Sequence, residues 1–334
     1  MERLMAAGSQ VFVGSDLLAS PLPSRSDRSG AVIFTQPGAR DVAERVAKHL
    51  EAPVRVFPDG ERAKTLAVAA ATYRWLDDIG LDRQGTIVVV GGGTVCDVGG
   101  FVASTYLRGI EVVSVPTTLL AAVDAAIGGK TAVNLEAKNQ VGTFWEPSRI
   151  LVDLDVLRGL PRRLVREGMA EIAKAGMIGD EDLVVELEEH GLQASLEKIV
   201  PAAIRVKAKI VTEDLRETGL RTVLNYGHTV GHAVERVVGL SHGESVSIGM
   251  AAAAHIAESV LGFGQADRQL ALLESLELPT TCRADLAKVM HMLRKDKKRD
   301  GSLIRMVLLR AIGEPEIVAV DDAAVSSVLS DTLR

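Results

Sequence analysis

The sequence predicts an α/β domain built on a parallel sheet, residues 1–155, followed by a mainly α-helical domain, residues 156–334. Two observations predict it. In the first half, short apolar β-branched runs alternate with stretches of helical periodicity, the pattern that builds parallel sheets. From about residue 160 the helical pattern continues alone, and strand signals fade until 304–309.

Taken in order, AVIF (31–34), VRVF (54–57), TIVVV (86–90), EVVSV (111–115) and ILVDL (150–154) read as strands. ARDVAERVAKHL (39–50) and LAVAAATYRWLDDIG (66–80) read as helices between them. Alternation at this interval is that of nucleotide-binding sheets. The boundary is expected near 155, within LDVLRGLP. Beyond it AEIAKAGMI, ASLEKIVPAAIRVKAKIV, GHTVGHAVERVV and ESVSIGMAAAAHIAESVLG read as helices, and IRMVLL (304–309) as a strand. No internal repeat or low-complexity segment interrupts the chain.

A chain of 334 residues, 47% apolar and 25% charged, is long enough for a large core and ordinary in composition. Its net charge of −6 supplies no basic footprint for nucleic acid and nothing that favours an anionic membrane. Aromatic content of 3% argues against a stacking platform for single strands. No stretch approaches the roughly 18 apolar residues of a membrane span. The start, MERLMAAGSQVFVGSDLL, lacks the basic opening and apolar run of a secretory signal. Cys96 and Cys282 lie far apart without metal-ligand spacing and read as reduced thiols, so a cytoplasmic location is expected. An acidic chain that takes an anionic ligand must use local clusters of Lys and Arg.

VVVGGGTVCDVGGFVAS (88–104) reads as a buried strand, a glycine turn and a small-residue helix. Glycines let the backbone approach a pyrophosphate, and a helix N-terminus favours its charge. The G-x-G-x-x-G fingerprint is not met: Gly91 and Gly93 fit, but Cys96 stands at the third position. PDGERAK (58–64) is a second turn, with Asp59, Glu61 and Lys64, suited to a ribose or simply solvated. VPTTLL (115–120) puts the hydroxyls of Thr117 and Thr118 at a strand end, where ligands sit in such sheets.

LNYGHTVGHAVE (224–235) carries His228 and His232 four apart, which places both on one helical face. His242 follows in SHGESV, and Glu171 with Lys174 lies upstream in GMAEIAKAG. Two imidazoles and a carboxylate suit zinc with one position left open. Spacing does not decide which two histidines ligate and which is an acid–base group. The cations are the other signal: Lys130 in IGGKTAVN, Lys138 beside Asn139 in AKNQ, Lys207 and Lys209 in RVKAKIV, and Arg221 four before Asn225. Each alone reads as a solvated charge; together they suit a phosphate or carboxylate substrate.

GGGTVCDVGGF, YLRGI, VPTTLLAAVDAAIGGKTAVN, KNQVGTFWEP, LPRRLVREGMAEIAKAGMI, KAKIVTEDLRETGLR, LNYGHTVGHAVE, HGESVSIGM and DKKRDG occur in the order seen in one family. The chain resembles the 3-dehydroquinate synthases, members of the sugar phosphate cyclases, over roughly residues 55 to 310. The resemblance implies conversion of 3-deoxy-D-arabino-heptulosonate 7-phosphate to 3-dehydroquinate and phosphate. It implies NAD, a divalent metal (zinc, or cobalt) and a homodimer, with a small phosphorylated sugar acid rather than nucleic acid or membrane as partner.

Residue by residue, the resemblance makes Glu171, His228 and His242 metal ligands and His232 a proton-transfer residue. It places Asp124, Lys130, Asn139, Lys174, Lys207, Arg221 and Asn225 at substrate positions, with either Lys297 or Lys298. Arg108 is implied to reach the neighbouring subunit's phosphate site. Glu61, Lys64, Gly91, Gly92, Gly93, Asp97, Thr117 and Thr118 match NAD contacts, and Asp59, Lys130 and Lys138 are expected beside them. Three other readings stay open: a different cyclase (a 2-deoxy-scyllo-inosose or aminodehydroquinate synthase), a metal-dependent alcohol or glycerol dehydrogenase, and a catalytically silent binding subunit.

Overall fold

The computed structural model describes residues 1–18, 30–295, 299–300 and 303–333. The chain forms two compact units, Met1–Pro161 with Lys207–Arg216, and Arg162–Val206 with Glu217–Arg334. The first division falls after Pro161, and the first unit also includes the later segment Lys207–Arg216.

In the first unit the chain runs β1 (Glu2–Ala6), β2 (Ser9–Gly14), β3 (Ala31–Thr35), α1 (Arg40–Leu50), β4 (Val54–Val56), α2 (Leu66–Asp78), β5 (Thr86–Gly91) and α3 (Gly93–Thr105). It continues through β6 (Glu111–Pro116), β7 (Lys130–Val133), β8 (Val141–Phe144), β9 (Arg149–Asp153) and α4 (Leu154–Arg158). Among the described residues, seven strands form one sheet in the order β1-β2-β9-β6-β5-β3-β4, parallel except for the β1–β2 pair. The centre explains the order. Every residue of β5 is buried, as a strand covered on both faces requires, and TIVVVG is accordingly apolar without alternation. Phe34, Ile87 and Val89 pack on one face with Val98 and Val102 of α3; Ile33, Val88 and Val90 pack on the other with Val46 of α1. The β1–β2 pair and the β7–β8 hairpin are additions that the sequence reading does not contain.

In the second unit the elements are α5 (Arg162–Gly179), α6 (Glu181–His190), α7 (Leu196–Glu213), α8 (His228–Val238), α9 (His242–Leu261), α10 (Ala266–Ser275) and α11 (Leu286–Lys295). They end with β10 (Arg299–Asp300), β11 (Leu303–Ala311), β12 (Glu314–Asp321) and α12 (Asp322–Thr332). The end of α7 counts with the first unit. IRMVLL is the middle of β11, and its partner β12 makes the small antiparallel sheet that single-strand reading misses. No helix among the described residues is long and apolar enough to cross a membrane.

Candidate active site

In the first unit, β5 and β6 pair in register up to Gly91 and Pro116, so their ends lie side by side. The glycine turn after β5 and the two threonines after β6 therefore meet. Thr117 N–H donates to the Gly91 carbonyl at 3.0 Å, and a Cβ at Gly92 would stand 3.3 Å from Thr118 Cγ2. Gly92 caps α3, whose N-terminus carries the outward amides that favour an anion. The missing third glycine has a structural answer. Its role in the fingerprint is close helix–strand packing. Here Gly99 takes that role one turn later, since a Cβ there would lie 2.2 Å from Val89 Cγ1. Cys96 instead points to Ser114 at 3.6 Å, and burial pushes its thiol up to about 12.

Beside this turn Lys64 is buried, with its ammonium donating to Asp97 of α3 and to Asn139. Asn134 ties the cluster together: its amide donates to Glu61 at 2.7 Å, and its side-chain oxygen accepts from Asn139 N–H at 2.9 Å. Burial pushes the Asp97 carboxyl up to about 6 although Lys64 pulls it down; the negative charges of Glu61 and Asp124 add to the rise. Sequence reading separates Asn139 (substrate) from Lys64 and Asp97 (NAD), and passes over Asn134; the structure joins all four. Asp124, in the π-helical turn Ala121–Ala125, accepts from Lys207 through both its carbonyl (2.6 Å) and its carboxylate. Lys207 is buried and Lys209 exposed, as two positions on a helix two residues apart should be. Asp59, Lys130 and Lys138 are exposed. Arg108 is also exposed, and Leu107, Arg108 and Gly109 all have positive φ, a backbone conformation that presents the arginine at a tight corner.

In the second unit three helices meet. His228 is the first residue of α8 and His242 the first of α9; Glu171 lies in the buried middle of α5. Glycines bring the helices that close. A Cβ at Gly249 would stand 1.9 Å from the Gly227 carbonyl oxygen, and one at Gly231 would stand 2.8 Å from the Ser245 carbonyl oxygen. Gly243 lets the start of α9 approach α5, where its N–H donates to Glu167 at 2.8 Å.

Glu171 Oε1 lies 3.1 Å from His242 Nε2 and 3.6 Å from His228 Nε2, and its other oxygen pairs with Lys174. These three residues could hold one metal ion, their ligand atoms lying within 4.8 Å of one another. Donors about 2.1 Å from a tetrahedral ion stand about 3.4 Å apart, which the observed separations bracket. Burial opposes ionisation of Glu171, but Lys174, the hydrogen bond from His242 and both imidazoles hold its carboxyl well below the usual range. Burial first, then the Lys174 charge, pushes His228 down to about 3, which leaves a neutral imidazole with a lone pair to give. A carboxylate and two imidazoles are a donor set that fits zinc or cobalt.

His232 is exposed, its ring centroid 5.1 Å from that of His228. Arg221 is fully buried, and Asn225 donates to Glu217 at 3.1 Å; both lie in the short 3-10 helix Leu220–Asn225. Lys297 and Lys298 lie outside the described residues.

Family models match the chain from residue 54 to residue 299. The family model described as 3-dehydroquinate synthase N-terminal matches residues 54–167, and that described as 3-dehydroquinate synthase C-terminal matches residues 168–299. The 3-dehydroquinate synthase of Pseudarthrobacter chlorophenolicus is 43% identical over 333 residues, covering 94% of this chain and 92% of that protein. A 2-deoxy-scyllo-inosose synthase complexed with carbaglucose-6-phosphate, NAD+ and Co2+ superposes with a TM-score of 0.90 at 27% identity, over 99% of this chain and 100% of that one. The 2-epi-5-epi-valiolone synthase of Streptomyces hygroscopicus, with NAD+ and Zn2+ bound, gives 0.87 at 28%, over 99% and 98%.

Proposed function

The chain belongs to the 3-dehydroquinate synthase family, and on that premise we propose that it converts 3-deoxy-D-arabino-heptulosonate 7-phosphate to 3-dehydroquinate and phosphate, using NAD and a divalent metal. The observation that carries the reading is the set formed by buried Glu171 and His228 with partly exposed His242, beside buried Lys174. When bound, NAD supplies a hydride acceptor that is restored within the cycle, and the metal polarises the hydroxyl being oxidised.

The chain's own residues bind, orient and move protons. Glu171, His228 and His242 hold Zn2+, with Co2+ as the alternative. Gly91, Gly92 and Gly93 with the α3 N-terminus receive the cofactor's pyrophosphate, flanked by Thr117 and Thr118. Lys64, held by Asp97, and Glu61, held by Asn134, shape the ribose side, with Asp59 and Lys138 at its exposed rim. Lys207, clamped by Asp124 in the first unit, and Lys174, clamped by Glu171 in the second, are the cations assigned to the anionic substrate. Arg221 offers a buried guanidinium fork to a phosphate or carboxylate. Lys130, Asn139, Asn225 and one lysine of the DKK run complete the polar contacts. His232, exposed with its ring 5.1 Å from that of His228, is the group to which this reading gives the proton transfer. Arg108, on its tight corner, serves the phosphate site of the other subunit in a homodimer.

The test is phosphate release from the heptulosonate phosphate by purified protein with NAD and Zn2+, with absorbance of NADH followed in parallel and a chelator control. Phosphate release without net NADH, abolished by chelation, is expected. Release only from glucose 6-phosphate or sedoheptulose 7-phosphate would move the chain to another cyclase, and accumulating NADH would make it a dehydrogenase.

A further inference from the structure

His228 and His242 both turn Nε2 toward Glu171, and an imidazole can give that nitrogen to a metal only if the proton sits on Nδ1. For His228 the acceptor opposite Nδ1 is the Tyr226 carbonyl at 3.1 Å. That carbonyl is itself anchored. Tyr226 is fully buried, its hydroxyl donates to Gln269 at 2.8 Å, and Gln269 donates to the Met250 carbonyl at 2.8 Å. For His242 the group opposite Nδ1 is a side chain, the Glu235 carboxylate, 3.7 Å away on α8. The contact is longer than a hydrogen bond and of the kind that tightens when a site is occupied.

The backbone around His242 is already held. Ser241 and Glu244 form a capping box, and Glu167 accepts from Gly243 N–H. What these caps do not set is the rotation and tautomer of the ring. We propose that Glu235 is the positioning residue for His242, accepting the Nδ1 proton so that Nε2 faces the metal and gains basicity. This rests on the reading of Glu171, His228 and His242 as metal donors. The rival use of the same atoms is a second ion held by His232, Glu235 and His242, whose ligand atoms also lie within 4.8 Å of one another.

The test is metal binding by the full-length protein, free of turnover. Metal-free protein is titrated with Zn2+ against a chromophoric chelator, and with Co2+ while its visible absorption is recorded. Wild type, His242→Ala, Glu235→Ala and Glu235→Gln are compared, with circular dichroism as the check of folding. Glu235→Ala is expected to bind one ion about 10- to 100-fold more weakly, with an altered Co2+ spectrum. Glu235→Gln should recover most of the affinity, because its amide oxygen accepts the same proton. If His242→Ala loses the ion but Glu235→Ala binds like wild type, the positioning role is wrong and the donor set stands. If His242→Ala also binds like wild type, the donor set itself is wrong. Two ions in wild type with one lost in Glu235→Ala, or a glutamine variant as weak as the alanine one, would also overturn the proposal. Should Glu235→Ala lose its helical signal, Glu235→Asp, with the carboxylate drawn back by one methylene, replaces it and the same weakening is expected.

Discussion

Lys64 with Asp97 and Lys174 with Glu171 are both lysine–carboxylate pairs, and their carboxylates behave in opposite ways. Asp97 keeps 22% side-chain exposure, yet its acidity is weakened to about 6; Glu171 keeps 1%, yet stays well below the usual range. Depth alone would predict the reverse order, since burial penalises the charged form. Partners decide it. Asp97 has one cation and feels two further carboxylates, Glu61 and Asp124. Glu171 has Lys174, a hydrogen bond from His242 and the nearby His228. The first cluster is assembled largely from loops around the start of α3, the second from three helices locked by glycine contacts.

Four experiments break or sharpen that contrast. The largest effect is expected at the helical cluster: His242→Ala should lose bound metal and turnover together, the latter by more than about a thousandfold. Stoichiometric zinc retained by that variant, measured by elemental analysis, would remove His242 from the donor set. Next, Gly249→Ala should destabilise by on the order of 3 kcal/mol or more, because the new methyl meets backbone at 1.9 Å. Gly99→Ala, which meets a valine methyl at 2.2 Å, should cost less, about 1–3 kcal/mol. Urea midpoints that reverse this ranking would deny that the helix contacts are the stiffer frame.

The lysines come third. Lys174→Met leaves a buried carboxylate short of its main cation and should cost about 3 kcal/mol in metal-free protein. Lys64→Met should cost about 1 kcal/mol, since Asp97 takes up a proton readily; equal losses in denaturant melts would erase the distinction. The smallest effect is a pH slope. Asp97 has its folded acidity weakened from 3.8 to about 6, so below about pH 4 it is protonated in both states and its contribution is full. As pH rises through about 6 that contribution is lost, because only the unfolded carboxyl ionises freely. Asp97→Asn should therefore flatten a slope of on the order of 1–2 kcal/mol between pH 4 and 6. A wild-type profile that rises across this window would contradict the assigned direction.

How much was legible before folding differs between the clusters. Strands β3, β4, β5, β6 and β9 and several of the helices followed from periodicity, because a doubly covered strand is apolar throughout and an amphipathic helix must repeat. The β1–β2 and β7–β8 hairpins did not, being short and in part exposed. For the glycine turn, the fingerprint pointed at Cys96; only packing against Val89 revealed Gly99 as the residue of close approach.

Sequence alone determined the family, through the order of its motifs, and the candidate donors, through residue types that few other tasks require together. Spacing did not choose among the histidines; the resemblance assigned them, without the geometry that makes the assignment physical. Four-residue spacing puts His228 and His232 on one face, but which ring meets a carboxylate depends on where α5 and α9 cross α8. That crossing is decided by Gly227, Gly231, Gly243 and Gly249 at backbone contact distance. Asn134, Glu167 and Glu235 were invisible as site residues for the same reason. A polar side chain acquires its role from the atom it faces, and pairs such as Glu167–Gly243, 76 residues apart in sequence, meet only in the folded chain.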